Sequence, residues 1–234
     1  MSAFRFLVQT SNLESDESLQ DFLRWKCPGV TIFADTSDKE QERHVTWYQC
    51  RSGEVQNVVG LHPTRSSNAP EEDQKAALLD EFPHFHPNVL KLLEKAEEVK
   101  CWKLAYYEPF RSWTYRNVAL IGDAAHPMLP FGGQAANQAI EDAGAIGRLM
   151  KDVHQASEVE SRLQLFEKVR IRRASMIQIL SSTRVGREKT VQHKLWNYAE
   201  PGATSVPQTF GDRIEQAFSF DVLGACDRIL QEPI

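Results

Sequence analysis

Short apolar runs with alternating polar positions dominate the first hundred residues. They predict β-strands at 4–9, 30–34, 44–51, 54–62 and 99–107. The third and fourth of these runs are joined at Ser52-Gly53, which favours a hairpin. Apolar residues at helical spacing predict flanking helices at 10–26, 71–82 and 88–96. The pattern indicates an α+β fold whose mixed, largely antiparallel sheet with flanking helices occupies residues 1–112.

The pattern changes in the second half of the chain, where helical spacing prevails. A short apolar run at 118–121 predicts a buried strand, and helices are expected at 138–150, 158–183, 213–218 and 222–230. We therefore divide the chain into a substrate-sheet region at 1–112, a loop and helical region at 113–186, and a C-terminal segment at 187–234.

Charge and composition indicate which partners and surroundings the protein is suited to. The 32 acidic residues outnumber the 27 basic ones, giving a net charge of −5, which does not favour nucleic acid. We interpret the basic cluster of Arg170, Arg172 and Arg173 as a solvated helix face. No apolar run reaches the length of a membrane span, and no secretory signal begins the sequence. A soluble, cytoplasmic protein is expected.

The stretch 116–150 carries the chemistry. Its strand delivers Gly122 and Asp123 to a carboxyl end, which is where ligands of open α/β sheets gather. The carboxylate of Asp123 can accept a hydrogen bond from a ligand hydroxyl. Gly132 and Gly133 permit unusual dihedral angles, and a helix then starts near Ala136. Its free N–H groups suit an electron-rich or anionic ring edge.

The order of residues in this stretch resembles the second flavin-binding motif of the group A flavoprotein monooxygenases, which include salicylate and 4-hydroxybenzoate hydroxylases. The matching positions are Gly122-Asp123-Ala124-Ala125-His126-Pro127, Pro130, Gly133-Gln134, Asn137 and Ala139-Ile140-Glu141-Asp142. A looser likeness extends over residues 3–185. The resemblance implies FAD as cofactor and NAD(P)H as electron donor in the hydroxylation of a small aromatic or polyketide-like substrate.

The resemblance also implies roles for single residues. Asp123 would hydrogen-bond the ribityl chain of FAD, Pro130 would lie near the reactive face of the ring, and residues 133–137 would meet its pyrimidine edge. The implied cofactor-binding set is Gly122, Asp123, Pro130, Gly132, Gly133, Gln134, Ala135, Ala136 and Asn137. We assign no catalytic residue. We assign no metal site either, because His84 and His86 lack a third ligand nearby.

Two departures from the family pattern shape the expectations. Ala135 replaces the usual glycine, which would cost about 1 kcal/mol if that position needs a positive φ; otherwise its methyl group could obstruct the flavin edge. The dinucleotide fingerprint G-x-G-x-x-G and the middle Asp-Gly motif are missing from this sequence. We therefore expect the N-terminal dinucleotide-binding half to be absent, FAD binding by the chain alone to be weak or absent, and hydroxylation to fail without help.

Other interpretations stay open at this point. The missing half could come from a separate N-terminal FAD domain, or the chain could form a homo-oligomer. A flavin-free isomerase or cyclase, or a non-catalytic remnant or partner protein, are alternative functions. We interpret His126 as a loop-packing residue, and Glu141 with Asp142 as first-turn partners of the helix dipole. Five aromatic residues fit either the core or a substrate pocket: Trp47, Tyr48, Trp102, Tyr106 and Tyr107.

Overall fold

The computed structural model describes residues 1–25, 29–35, 37, 43–65 and 73–231. Two parts of predicted helices lie outside these residues: the end of the helix 10–26, at Lys26, and the start of the helix 71–82, at Glu71 and Glu72. The chain divides into two compact units, residues 1–104 and 105–234. Within the described ranges, none of the helices combines the length and the apolar character needed to cross a bilayer.

The first unit is built on a five-stranded sheet in the order β2-β3-β4-β1-β5, and every described strand pair is antiparallel. The strands are β1 (Ser2–Gln9), β2 (Thr31–Asp35), β3 (Arg43–Cys50), β4 (Val55–His62) and β5 (Lys100–Lys103). The turn between β3 and β4 has positive φ at Arg51, Ser52 and Gly53, as a tight hairpin connection requires. The predicted α+β sheet is confirmed, although β5 ends four residues earlier than expected.

Helices pack on one face of this sheet and close the first core. They are α1 (Thr10–Glu14), α2 (Gln20–Trp25), α3 (Gln74–Glu81) and α4 (Pro87–Glu94). Alternation along β1 places Phe4, Phe6 and Val8 in this core. Trp47 lies there too, and its indole N–H donates to Gln56 Oε1 at 2.8 Å. Of the two interpretations of Trp47, the structure therefore supports the core residue.

The opposite face of the sheet keeps apolar side chains in contact with solvent. Leu7 and Trp102 are 48% and 42% exposed. In the sheet, Asn57 of β4 pairs with Leu7 of β1 on one side and with Tyr48 of β3 on the other. Arg5 Nε donates to Asn57 Oδ1 at 2.6 Å.

The second unit is mainly helical. It contains the strand pair β6 (Thr114–Tyr115) and β7 (Val118–Ala119), followed by α5 (Ala135–Leu149), α6 (Ala156–Ser181), α7 (Gln192–Leu195), α8 (Phe210–Phe218) and α9 (Val222–Gln231). Its largest described core joins α5, α6 and α9 through Ala145, Leu149, Phe166, Ala174 and Cys226. The four helices predicted for this half are confirmed.

The prediction of a buried strand at 118–121 is wrong. Only Val118 and Ala119 form a strand, and within the described chain their partner is the short β6. Val118 is 63% exposed and Ile121 is 45% exposed. An apolar run is buried only where another element packs against it, and the sequence pattern does not say whether this chain supplies that element.

Candidate functional site

The Gly122-Asp123 pair forms a tight turn directly after β7. A short 3-10 helix spans Gly122–Ala124, and Gly122 has a φ of 56°, a conformation that favours glycine. Gly122 is buried, whereas Asp123 is exposed. The Asp123 carboxylate forms no hydrogen bond with the residues that the structure describes. The turn therefore presents an unpaired acceptor on the surface.

The two consecutive glycines of the loop have different tasks. Pro130–Gly132 form a second 3-10 helix, and Gly133, whose φ is 61°, follows it as the C-cap. A Cβ at Gly133 would meet nothing within 4 Å, so its backbone faces open space. A Cβ at Gly132 would collide with Ser181 Oγ and lie 3.0 Å from Ser181 Cβ. Gly132 thus allows the loop to pack on α6, and Gly133 turns the chain. Pro130 is exposed beside them.

Helix α5 begins at Ala135, one residue before the expected start. The first N–H with an intrahelical acceptor is that of Gln138, which donates to Gln134 O at 2.9 Å. The N–H groups of residues 135–137 precede it, and no side chain of the described residues caps this end. Ala136 and Asn137 are exposed. Three donors at the positive end of the helix dipole are therefore available to a ligand.

Ala135 adopts its position without backbone strain. It lies inside α5 and is not one of the described non-glycine residues with positive φ. The penalty of about 1 kcal/mol expected for a left-handed alanine is therefore not incurred. Gln134 points inward: its side chain is buried, and its Oε1 accepts from Asn137 Nδ2 at 3.3 Å. The side chain of Gln134 is therefore engaged within the chain.

The buried carboxylate of Asp142 stabilises the Gly122 turn. Asp142 Oδ2 accepts from the N–H of Gly122 at 2.9 Å and lies 2.7 Å from His126 Nε2, while Oδ1 accepts from Arg170 Nε at 2.9 Å. Burial raises the pKa of Asp142, but the hydrogen bonds from His126 and Gly122 and the charge of Arg170 outweigh it, so that the pKa is lowered. The prediction that His126 packs the loop is confirmed by its complete burial.

The acidic residues of α5 face the long helix rather than the helix dipole. Glu141 forms ion pairs with Arg170 and, at 3.0 Å, with Arg173. The first turn of α5 holds no acidic residue. The first-turn interpretation of Glu141 and Asp142 is therefore wrong, because both lie in the second turn or beyond and converge on α6.

The basic cluster on α6 is also corrected. Arg170 and Arg173 are 0% and 5% exposed, and of the three only Arg172 is exposed. A spacing of three residues places Arg170 and Arg173 on the same side of α6, towards α5. The interpretation as a solvated face fails because the distant carboxylates on α5 neutralise two of the three charges.

Helix α6 also fixes the loop itself, through polar residues whose contacts the sequence did not reveal. Gln178 Nε2 donates to the carbonyls of Pro127 and Tyr107, both at 2.9 Å. The N–H of Leu129 donates to Ser182 Oγ at 3.3 Å. The available signal was a set of polar side chains at 178–182 within an apolar helix end.

Outside this unit, His86, which was considered as a metal ligand in the sequence, caps α4 by accepting a hydrogen bond from the N–H of Asn88 at 3.2 Å.

The Asp123 carboxylate and the uncapped N–H groups of residues 135–137 match the hydrogen-bonding groups of one part of FAD. An exposed carboxylate suits a ribityl hydroxyl, and three uncapped N–H groups suit the oxygen- and nitrogen-rich edge of an isoalloxazine ring. A Cβ at Gly133 would meet nothing within 4 Å, so the loop that precedes these donors faces open space. The residues present therefore fit the ring and ribityl portion of the cofactor.

Comparison with known proteins supports the same assignment. A family model described as "FAD binding domain" matches residues 27–179. The FAD-dependent monooxygenase phomE of Diaporthe leptostromiformis is 41% identical over 179 residues, covering 76% of this chain and 47% of that protein. Hispidin-3-hydroxylase of Neonothopanus nambi is 30% identical, covering 74% of this chain and 44% of that protein. The chain thus spans about half the length of these curated relatives.

Solved structures show the same fold. A salicylate hydroxylase in a substrate complex superposes with a TM-score of 0.67 at 28% identity, covering all of this chain and 57% of that one. Klebsiella pneumoniae HpxO complexed with FAD and uric acid has a TM-score of 0.64 at 22% identity, covering 99% of this chain and 53% of that one. Because the family model covers more than half of the chain, and because the motif and the fold agree with it, this chain belongs to the FAD binding domain family of FAD-dependent monooxygenases.

Proposed function

We propose that the chain supplies the substrate sheet and the flavin-ring site of a monooxygenase that hydroxylates a small aromatic or polyketide-like compound. The proposal is carried by two features of the motif: the Asp123 carboxylate is exposed and unpaired, and the three N–H groups of residues 135–137 are uncapped. These groups occupy the positions that the family motif assigns to flavin contacts. When bound, FAD would supply electron transfer from NAD(P)H and the activation of oxygen.

The chain's own residues would bind and orient the ring. Asp123 accepts a hydrogen bond from the ribityl chain, and the N–H groups at the start of α5 stabilise negative charge on the ring edge. Asp142 holds the Gly122 backbone, and Gln178 holds the carbonyl of Pro127, so that both sides of the loop are fixed before the ligand arrives. Such support keeps the contacting groups near their productive positions.

The rest of the cofactor needs contacts from outside this sequence. The G-x-G-x-x-G fingerprint that would hold the pyrophosphate does not occur in the 234 residues. Beside the motif, the side chains of Tyr115, Val118 and Ile121 are exposed. We therefore propose that an additional FAD-binding segment, joined to this chain or separate from it, covers this surface, and that the chain alone binds FAD weakly or not at all.

The test compares the chain alone with the chain plus the remaining part of the 41% identical phomE protein. FAD, NADPH or NADH, oxygen and a panel of phenols are added, and the products are analysed by mass spectrometry for one added oxygen atom. We expect oxygen insertion only when both parts are present. Turnover by the chain alone would refute the need for a second segment. Conversion of a substrate without flavin would instead support an isomerase or cyclase.

A further inference from the structure

An open cavity of about 560 Å³ lies within the second unit, between α6, the segment 198–207 and α9. This volume is within the range of about 300–1,000 Å³ that is typical of small-molecule sites. None of the residues of the flavin motif lines it. We propose that this α6–α9 cavity binds an organic anion in which a carboxylate or similar group is attached to an apolar ring or chain.

Positive charge is concentrated in the cavity. Its lining includes four basic side chains and one acidic side chain: Lys168, Arg172, Arg173, Arg228 and Glu200. The chain as a whole carries a net charge of −5, so this excess runs against the average composition. A cleft lined mostly by one sign of charge raises the local concentration of ligands of the opposite sign. The cavity therefore selects for anions.

Three of the four cations remain available to a ligand. Arg173 is already engaged, since it pairs with Glu141 and donates to the carbonyls of Gln216 and Ala217. Lys168 and Arg228 are exposed and form neither an ion pair nor a hydrogen bond with the described part of the chain.

Arg172 donates through one terminal nitrogen to the carbonyl of Ala199 at 2.6 Å, which positions its guanidinium and leaves the second terminal nitrogen for a ligand. A guanidinium held in place loses less conformational entropy when it binds a carboxylate. The anionic group of the ligand is therefore expected between Arg172 and the two unpaired cations, Lys168 and Arg228.

The apolar part of the lining explains why the ligand needs a hydrophobic body. Val169 and Met176 contribute apolar surface from α6, and Phe220 and Ile229 contribute it from the opposite wall. The Arg173 guanidinium lies over the Phe220 ring at 4.9 Å from its centroid, which holds the ring in place. Burying apolar surface here contributes to affinity. An anion with an apolar body should therefore bind more tightly than inorganic phosphate, which has no apolar surface.

The binding test uses 8-anilinonaphthalene-1-sulfonate, an aromatic anion that fluoresces when it leaves water. We expect saturable binding to the full chain, weakened about tenfold in the double variant Lys168→Gln/Arg228→Gln, a loss of about 1.4 kcal/mol. Both side chains are exposed and unpaired, so the variant should fold normally, as circular dichroism will verify. The matched control is Lys151→Gln/Arg162→Gln, which removes the same charge outside the cavity and should bind the probe like the wild type.

Competition then defines the ligand. The carboxylates 2-naphthoate and dodecanoate are compared with the neutral 2-naphthamide as displacers of the probe. Displacement by either carboxylate, but not by the amide, supports the proposal, and the stronger of the two identifies a ring or a chain as the preferred body. Equal displacement by the amide, or unchanged probe affinity in the Lys168→Gln/Arg228→Gln variant, overturns it. No flavin is present, so the outcome is independent of the proposed monooxygenase function.

Discussion

Arg170 Nε donates a hydrogen bond to Asp142 Oδ1 across 2.9 Å, and neither side chain is accessible to solvent. The second carboxylate oxygen of Asp142 binds the N–H of Gly122. One buried ion pair therefore connects the long helix α6 to the first turn of the flavin motif. Its partners are 28 residues apart in sequence, so the turn takes its shape from the packing of two helices.

Removing the charge of Asp142 should destabilise the chain strongly. Asp142→Asn keeps the shape of the side chain but leaves the Arg170 charge less compensated in a buried site, which typically costs about 3–5 kcal/mol. Urea unfolding followed by circular dichroism measures this loss. The control is Asp227→Asn, which breaks the partly exposed pair with Arg148 and should change stability much less. Equal effects of the two substitutions would contradict a special role of the buried pair.

The same carboxylate should make stability depend on acid pH. The pKa of Asp142 in the folded chain is lowered from its ordinary value of 3.8, because hydrogen bonds from His126 and Gly122 and the charge of Arg170 outweigh the effect of burial. This contribution is fully present above pH 3.8 and is lost as the pH falls through the lower folded-state pKa. Unfolding free energies measured from pH 6 to pH 2 should fall more steeply for the wild type than for Asp142→Asn. Parallel pH profiles would disprove the assignment.

The two loop glycines should respond differently to alanine. Gly132→Ala should cost about 1–3 kcal/mol, because the new methyl group collides with Ser181. Gly133→Ala should cost about 1 kcal/mol from its positive φ alone, since nothing lies within 4 Å of the new Cβ. In the double variant Gly132→Ala/Ser181→Ala, part of the loss should be recovered, whereas Ser181→Ala should not improve Gly133→Ala. Thermal unfolding of the five variants decides between collision and strain.

The unpaired carboxylate of Asp123 should matter for flavin and little for folding. Asp123→Ala should weaken FAD binding by about 1.5–3 kcal/mol, the range for losing a hydrogen bond to a charged group. The exposed side chain has no described partner, so the melting temperature should hardly change. Flavin fluorescence measures affinity in the presence of the added FAD-binding segment, with the exposed Asp152→Ala as control. Unchanged affinity in a folded Asp123→Ala variant would remove Asp123 from the site.

The sequence by itself determined the parts of the protein that depend on local pattern. Alternation along β1 and β3 placed these strands because side chains of a strand point to opposite faces. The Ser52-Gly53 pair located the hairpin, since few residues adopt positive φ. The order of residues from Gly122 to Asp142 identified the flavin motif, because the turns at Gly122 and Gly133, which favour glycine, and the helix that follows them lie within one short segment.

Only the tertiary structure decided which residues meet across that segment. Glu141 and Asp142 were expected to face the helix dipole, and Arg170 and Arg173 to face water, yet they neutralise one another between α5 and α6. The run at 118–121 was expected to be buried, yet Val118, Leu120 and Ile121 are exposed. Hydrophobic period and charge describe one element at a time. Ion pairing and burial depend on which distant surface packs against that element, and a linear pattern does not contain this information.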